Sequence, residues 1–496
     1  MTMDTRSKGQ STGVVKSADQ EDSPPIQRLP WLTARRAVFF VIGWLILFSI
    51  GSLFIANPFD SEPSAGADPV FWHVMYLHGL LIGMVGLLAL LACAILELRS
   101  HHTRAWIVGG VVFATVVTAI GGVFDRRIPG AEVAMWVQIF GFFALDEILL
   151  VLLWGMLGEW RQAAPHARTL PFVAAFLGAG SMFVAALMGH LAGWILEFGN
   201  FPSIIGSYAN LIGVKVDDFS ANLIGSHSHD MVVGVMAVSV SIAAVQFGYR
   251  ELRGGWRTAA RVGLSLVGVG TILMTIMYVV MAFTAWGPPN LFTTANGANG
   301  IAGDDIVTGL FVMLGGLVTL AAVVGGYVRE HGVAHAPVRL AALWSWILLF
   351  STVVVAGYAI EENEVFFGAG DKAPGAANDA VFTWLHQDIG LFLLPALIIV
   401  MLAVARFVLP RYQGHIAWAV AIGTTITFIG GMIFVFVNPA LHGPGYDVST
   451  VGLLIVGIAL LATLWYGAVT AREADLRRSG QTGIATPLVP GHAGRR

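Results

Sequence analysis

Long apolar segments separated by short polar links recur along the whole chain. Each is about twenty residues or longer, which is enough to cross the roughly 30 Å hydrocarbon core of a bilayer as a helix. Backbone at that depth must satisfy its own hydrogen bonds, and the alternating segments of a membrane barrel are absent. The pattern therefore predicts an all-α polytopic membrane protein with 12 transmembrane helices. The predicted spans are 36–56, 71–97, 104–124, 133–157, 170–198, 220–247, 258–286, 306–328, 337–360, 381–408, 415–437 and 448–471.

The two ends of the chain differ from this apolar middle. Residues 1–34 are polar, contain Ser and Pro and show no periodicity, which predicts a disordered cytoplasmic tail. They contain no apolar segment of the kind that a cleavable signal peptide needs. Residues 473–496 are rich in Arg, Gly and Pro and are also predicted to be disordered. One transmembrane domain, 35–472, is thus expected between two tails.

The composition excludes several classes of protein. Of 496 residues, 56% are hydrophobic and only 11% are charged, whereas a soluble protein carries about 25% charged residues. A soluble globular enzyme is therefore excluded. The single cysteine, Cys93, excludes a disulfide framework and a Cys-rich zinc or iron–sulfur site. The net charge of −3 gives no indication of nucleic-acid binding.

The distribution of basic residues predicts the orientation in the membrane. An even number of spans puts both tails on one side, and positively charged links favour the cytoplasm. The opposite loops hold only Arg126, Arg127, Lys215 and Lys372, so the other 23 of the 27 Lys and Arg residues lie on the side of the tails. We therefore expect a multi-pass protein of a bacterial-type inner (cytoplasmic) membrane with both termini in the cytoplasm.

Five histidines lie inside the predicted spans, where ionisable side chains are costly and functional by default. At a rise of 1.5 Å per residue, their positions place all of them about 10–13 Å below the outer boundary of the membrane. A shared layer favours a common site, whereas the alternative for any one histidine is a structural hydrogen bond to a neighbouring helix. The five are His78 in span 2, His190 in span 5, His227 and His229 in span 6, and His386 in span 10.

The chemistry of imidazole indicates what such a layer would hold. Imidazole is the commonest protein ligand of metals, and iron and copper suit it. The pattern therefore favours a haem with one or two axial histidines, with or without a further His-ligated metal. His227 and His229 are separated by about 200° around a helix, so they serve two centres, or one of them hydrogen-bonds elsewhere. Asp230 lies on the same face as His227 and is expected to orient its ring.

Other polar and small residues in the spans have two interpretations each. Asp146 and Glu147, in the middle of span 4, are candidates for a catalytic proton relay or are hydrogen-bonded structural acids. Glycines flank three of the histidines and either let a flat macrocycle lie close to the helix or serve helix packing. These glycines are Gly79, Gly83, Gly86, Gly189, Gly193 and Gly225.

Twelve spans with histidines near the outer ends of spans 2, 6 and 10 resemble the catalytic subunit of the haem–copper oxidases and nitric oxide reductases. The segment YLHGLLIGMVG around His78 is similar to the family's span 2, which carries a low-spin haem ligand. By position, His227 or His229 matches the ligand of the non-haem metal, and His386 matches the haem ligands of span 10. We therefore expect His78 and His386 to be axial ligands of a haem b. His190, His227 and His229 are candidates for a second haem or a non-haem Cu or Fe.

The chain also departs from the family's pattern. Span 7 lacks the paired histidines, span 6 has HSHD in place of His-Pro-Glu, and span 10 has HQD in place of His-x-His. His190 has no counterpart in the family. These differences predict a divergent member without the full copper-site motif.

These features predict a haem-binding integral membrane oxidoreductase that acts on O2, NO or an apolar small molecule near the outer membrane face. The chain has no C-x-x-C-H motif, so it carries no covalently attached c-type haem that could pass electrons to the site. Electrons are therefore expected from quinol or from a separate cytochrome. The alternative is a transporter or channel whose intramembrane His, Asp and Glu bind protons or a metal ion. A third interpretation is a haem-binding assembly or sensor subunit without turnover.

Overall fold

The computed structural model of the chain describes residues 33–55, 69–124, 132–198, 202–284, 298–366, 389–436 and 442–478. These residues form thirteen α-helices and no strand, and two single-turn 3-10 helices lie at Pro165–Arg168 and Val333–His335. The helices are α1 Ala34–Ile55, α2 Pro69–Ile95, α3 His101–Phe124, α4 Glu132–Arg161, α5 Leu170–Phe198, α6 Pro202–Ile212, α7 Val216–Gln246, α8 Gly254–Phe283, α9 Ala298–His331, α10 Pro337–Phe366, α11 Leu394–Phe407, α12 Pro410–Phe436 and α13 His442–Arg478.

The helices bear out an all-α polytopic membrane protein. Within the described part of the chain, nine helices are long and apolar enough to cross a membrane, and α2 and α10 contain shorter apolar stretches, Leu81–Ile95 and Pro337–Val353. Large apolar side chains such as Trp106, Trp154 and Trp465 are exposed on the outside of the bundle. A helix that is apolar on every face suits an environment of protein on one side and lipid on the other.

Two details differ from the sequence prediction. The short helix α6 was not expected, because its 11 residues cannot cross a bilayer. It is fixed by the Tyr208 hydroxyl, which donates to the carbonyl oxygen of Phe283 at 2.6 Å. Helix α13 continues to Arg478, so 473–478 are helical rather than part of a disordered tail. The reason is an ion pair between Arg411 and Glu473, which fixes this last stretch against the start of α12.

Residues 389–393, just before α11, form a wider π-helical turn. Pro395 follows at the start of α11. Proline has no N–H, and its ring crowds the carbonyl group four residues earlier, which accounts for the wider turn.

Helix α7 lies at the centre of the bundle. In an 18-residue window of its span Leu223–Gln246, 83% of the residues are buried, against 28% in such a window of the span Asp447–Ala474 of α13. Helices α2, α5, α6, α8, α9 and α11 all pack against α7. Side chains on opposite faces of α7 therefore reach different neighbouring helices, which matters for the two histidines that it carries.

Helices that are close in the chain pack tightly against each other at glycines. The most extensive contacts join α3 with α4, α5 with α7, α8 with α9, and α12 with α13. A methyl group added to Gly178 of α5 would lie 2.9 Å from the carbonyl oxygen of Gly234 in α7. The same close approach joins Gly263 to Gly315 and Gly423 to Gly452. Because lipid gives no hydrophobic driving force between helices, such van der Waals contact is what holds membrane helices together.

The links that carry arginine meet at one end of the bundle. Glu159, near the end of α4, is buried and accepts a hydrogen bond from the backbone N–H of Arg99 at 2.5 Å. The same carboxylate lies 3.4 Å from His166 Nε2 in the α4–α5 link. Arg35 donates to the carbonyl oxygen of Phe407, the last residue of α11, and to that of Gly467 in α13. These contacts support a shared arginine-rich end, as the charge distribution predicts.

The contact between α5 and α7 generates a test with a control two residues away. We expect Gly178→Ala to destabilise the protein by about 1–3 kcal/mol, because the new methyl group meets backbone atoms that cannot move aside. Gly180→Ala adds a methyl group where no atom lies within 4 Å, so its unfolding temperature should be unchanged or slightly higher. Thermal unfolding of both purified variants in one detergent measures the difference. Equal unfolding temperatures would contradict the close packing of α5 on α7.

Candidate functional site

Side chains from four helices meet in the interior of the bundle. We call His78 of α2, Asp146 of α4, His190 of α5 and His227 of α7 the histidine cluster. The rings of His78 and His227 are parallel within 5°, with centroids 5.9 Å apart. Phe142 lies between the two halves of the cluster, 5.5 Å from the His78 ring and 6.3 Å from the His190 ring. Residues that are distant in sequence thus form one polar site within the apolar bundle.

The orientation of His227 is set by the close contact of α5 with α7. Its ring packs on Gly189, where an added Cβ would lie only 2.5 Å from ring atoms. Its Nδ1 lies 2.8 Å from the carbonyl oxygen of Ala185. A carbonyl oxygen can only accept, so Nδ1 carries the proton and Nε2 holds the lone pair. A metal-binding histidine commonly uses this arrangement, with one ring nitrogen bonded to the protein and the other available to the metal.

His190 and Asp146 form a pair between α5 and α4. His190 Nδ1 lies 3.0 Å from Asp146 Oδ2 and 2.9 Å from the carbonyl oxygen of Ala186. Phe143 stacks on the imidazole ring at 4.6 Å. Among the described residues, His190 Nε2 and Asp146 Oδ1 are buried without a hydrogen-bond partner. Orphaned polar atoms are uncommon in folded proteins and indicate a site that a ligand, an ion or water completes.

The bonds between helices distinguish the cluster from other histidines. His331, which is exposed, also directs Nδ1 to a carbonyl oxygen four residues earlier, that of Tyr327. Such a bond within one helix therefore carries no functional information. The bonds of His227 to Ala185 and of His190 to Asp146 cross between helices. Only the packed bundle creates them.

His229 and Asp230 belong to a different part of the bundle. His229 stacks on Tyr278 of α8 at 5.6 Å, and its Nδ1 donates to the carbonyl oxygen of Gly225 at 2.8 Å. Asp230 is fully buried, and its Oδ1 accepts hydrogen bonds from Ser181 at 2.7 Å and Thr275 at 2.8 Å. The expectation that Asp230 orients His227 is wrong, because these two hydroxyls hold the carboxylate and the Ala185 carbonyl holds the imidazole.

The remaining predicted residues lie elsewhere. Glu147 follows Asp146 by one residue, which is about 100° around the helix, and its side chain is exposed on the outside of the bundle. His386, the second predicted axial ligand, lies outside the described residues. Gly83 faces Leu45, and Gly86 faces Val111. Those two glycines therefore serve helix packing.

The donor set can be tested against the expected cofactors. Three imidazoles and a carboxylate are ligands that suit iron or copper. Within the described ranges, however, no group of three or more His, Cys, Asp or Glu side chains is arranged to hold one metal ion. A bare ion with three or four protein ligands therefore does not fit these residues. A haem needs only one or two axial imidazoles, and His227, whose Nδ1 is bonded to the Ala185 carbonyl oxygen, is a residue that could supply one.

Several residues of the site were not predicted. The sequence does not single out Phe142, Phe143, Ser181 or Thr275, although each contacts a predicted residue. Ser181 is a polar residue in a mostly apolar helix, and this is the one local signal for it. The phenylalanines gave no signal because aromatic residues are common in apolar spans.

Comparison with known proteins gives no match. No family model matches the sequence, no curated protein matches it, and no solved structure matches the fold. The resemblance to the haem–copper oxidases remains a prediction from the sequence, and the function has to be argued from the geometry of the histidine cluster.

Adjacent carboxyl groups provide a matched test of the cluster. We expect Asp146→Asn to destabilise the protein by about 1–3 kcal/mol, because it removes a charge-assisted hydrogen bond from a mostly buried pair. Glu147→Gln changes the same functional group one residue away on the outer surface, and we expect a change within about 0.5 kcal/mol. Thermal unfolding in detergent compares the two. If only Glu147→Gln lost stability, the assignment of Asp146 as the buried partner of His190 would be contradicted.

Proposed function

We propose that this chain is a twelve-span, haem-binding oxidoreductase of a cytoplasmic membrane, acting on a small molecule near the outer face. The single observation that carries the proposal is the convergence of three histidines from three helices, two of them bonded across helix boundaries. Holding uncompensated polar groups inside a membrane bundle is costly. Such a cost is expected where the groups bind a cofactor or move protons.

His78 and His227 are the ligands that the geometry favours. Their rings are parallel and neighbouring, and the Nδ1 of His227 is already bonded to the protein. In the sequence-based expectation His386 is the partner of His78, and His227 then serves a second centre, as span 6 does in the haem–copper oxidases. Variants of the individual histidines distinguish these two assignments.

The chemistry divides between the cofactor and the protein. A haem b with imidazole ligands supplies one-electron redox chemistry when bound. The Asp146–His190 pair lies near His78, since Phe142 contacts the rings of both His78 and His190, and the pair can hold or move a proton at His190 Nε2. Reduction of O2 or NO consumes protons as well as electrons, so a proton-handling pair beside a redox centre suits such a substrate. Quinol or a separate cytochrome would supply the electrons.

The Asp146–His190 pair also favours a second candidate function. An intramembrane acid–imidazole pair is typical of proton relays in pumps and transporters. In that case the chain carries protons or a transition-metal ion across the membrane, and His78 and His227 belong to the path. Haem binding and gradient-driven flux are the two properties that separate the candidates.

Haem content tests the first proposal. We expect protein purified in detergent from haem-replete cells to show a pyridine haemochrome signal, and we expect His78→Ala and His227→Ala each to lose it because an axial ligand is missing. His229→Ala is the matched control: it lies two residues from His227 but contacts Tyr278, so it should retain the haem.

The other results are equally informative. Loss of haem in His386→Ala with retention in His227→Ala would support the pairing that the sequence predicts. A colourless wild-type protein would contradict the redox proposal.

Gradient-driven flux tests the second candidate. Proteoliposomes with a pH-sensitive dye inside report proton movement when a pH gradient is applied without an electron donor. The redox proposal predicts no flux above that of protein-free liposomes. A flux that Asp146→Asn abolishes and Glu147→Gln preserves would instead identify a transporter, because only Asp146 contacts His190.

A further inference from the structure

A second polar site lies at the opposite end of α7 from the histidine cluster. A cavity of about 940 Å³ opens between the α7–α8 link, the end of α9 and the start of α10. About twenty residues of α7 separate His227 from this cavity, which corresponds to about 30 Å of helix. The cavity lies at the arginine-rich end of the bundle and plays no part in the proposed redox chemistry.

The cavity is strongly basic. Five arginines line it, whereas only two acids do, Glu251 and Glu330. The arginines are Arg250, Arg253, Arg257, Arg329 and Arg339. In the part of the chain that the structure describes, none of the five is in a salt bridge. Glu251 offsets part of the charge of Arg339, but two carboxylates do not balance five guanidinium groups, and an anion between these groups would reduce their mutual repulsion.

Arg339 forms the inner wall and is held in place. It is half-buried at the start of α10, and its guanidinium group lies 3.6 Å above the ring of Tyr327 and 5.6 Å from that of Phe247. Its Nε is buried without a hydrogen-bond partner among the described residues. A planar guanidinium fixed on an aromatic ring is pre-organised to bind phosphate with two parallel hydrogen bonds.

An aromatic residue forms the rim of the cavity. Trp256, at the start of α8, packs directly on the backbone of α9, where a Cβ added to Gly325 would lie 2.9 Å from its ring. The indole remains 38% exposed. Tryptophan is enriched where the lipid headgroups begin, so its place at the rim suits a cavity that faces headgroup phosphates.

We infer that this cavity binds a phosphate-bearing anion. Its source is either the headgroup of an anionic phospholipid or a soluble phosphate compound, and both present the same oxygens to the arginines. Basic cavities between transmembrane helices recognise phospholipid headgroups by this chemistry. The exposed arginines attract the anion, and Arg339 fixes one phosphate at the inner wall.

The test compares two pairs of exposed arginines at the same end of the bundle. Arg253→Gln/Arg329→Gln removes two charges from the cavity, and Arg161→Gln/Arg168→Gln removes two from elsewhere. Native mass spectrometry of the full chain in detergent measures binding of phosphatidylglycerol, with phosphatidylcholine as the neutral lipid. Titration calorimetry with inorganic pyrophosphate, in nanodiscs of phosphatidylcholine, measures binding of a soluble anion. Size-exclusion profiles and unfolding temperatures establish that each variant is folded, and the single variant Arg253→Gln replaces the double variant if it is not.

We expect the cavity variant to bind the anion about tenfold more weakly than the wild type, because charge-assisted hydrogen bonds are lost. The control pair should leave the affinity unchanged. A selective loss of phosphatidylglycerol binding supports a lipid source, and a selective loss of pyrophosphate binding supports a soluble one. If neither probe binds, or if both double variants weaken binding equally, the cavity is not a specific site and the inference is overturned. Haem content has no bearing on either result.

Discussion

The antiparallel contact of α5 with α7 is the interaction on which the rest of the structure depends. It is closest where Gly178 meets Gly234, and no side chain larger than hydrogen fits there. From that point toward the histidine cluster, Ser181 bonds to Asp230, and Ala185 bonds to His227. Two polar groups of α7, the Asp230 carboxylate and the His227 imidazole, thus find partners on α5. In a bilayer, where water offers no substitute, this register fixes where the polar chemistry of the chain lies.

Helix α7 connects two sites of opposite character. Near one end it contributes His227 to a cluster of imidazoles and a carboxylate, and the link that follows its other end contributes Arg250 and Arg253 to a basic cavity. The stretch between them is apolar and almost wholly buried. This apolar stretch separates the proposed redox or proton-handling site from the proposed anion site by about 30 Å of helix.

The resemblance to the haem–copper oxidases is a prediction from the sequence, and the contacts of the histidine cluster bear on it in two ways. His78 and His227 are neighbours, and His227 has its second ring nitrogen fixed by the backbone. A three-histidine copper site is not formed by the described residues. The Asp146–His190 pair has no counterpart in the family's pattern, and it places a carboxylate beside an imidazole inside the bundle.

The sequence by itself determined the class of fold and most of the candidate residues. Hydrophobic periods are local, so helices such as 170–198 were predicted with the bounds that the structure has. The cost of a charge in lipid is also independent of the fold, which is why Asp146 and the histidines could be singled out.

Only the tertiary structure decided which of them meet. His229 and Glu147 are one or two residues from members of the cluster, yet they face other neighbours, because a helix turns about 100° per residue and packing alone decides which face is inside. His227 contacts the carbonyl oxygen of Ala185 and packs on Gly189, and the arginine cavity brings three separate segments together. These contacts join residues far apart in sequence, so no local pattern encodes them.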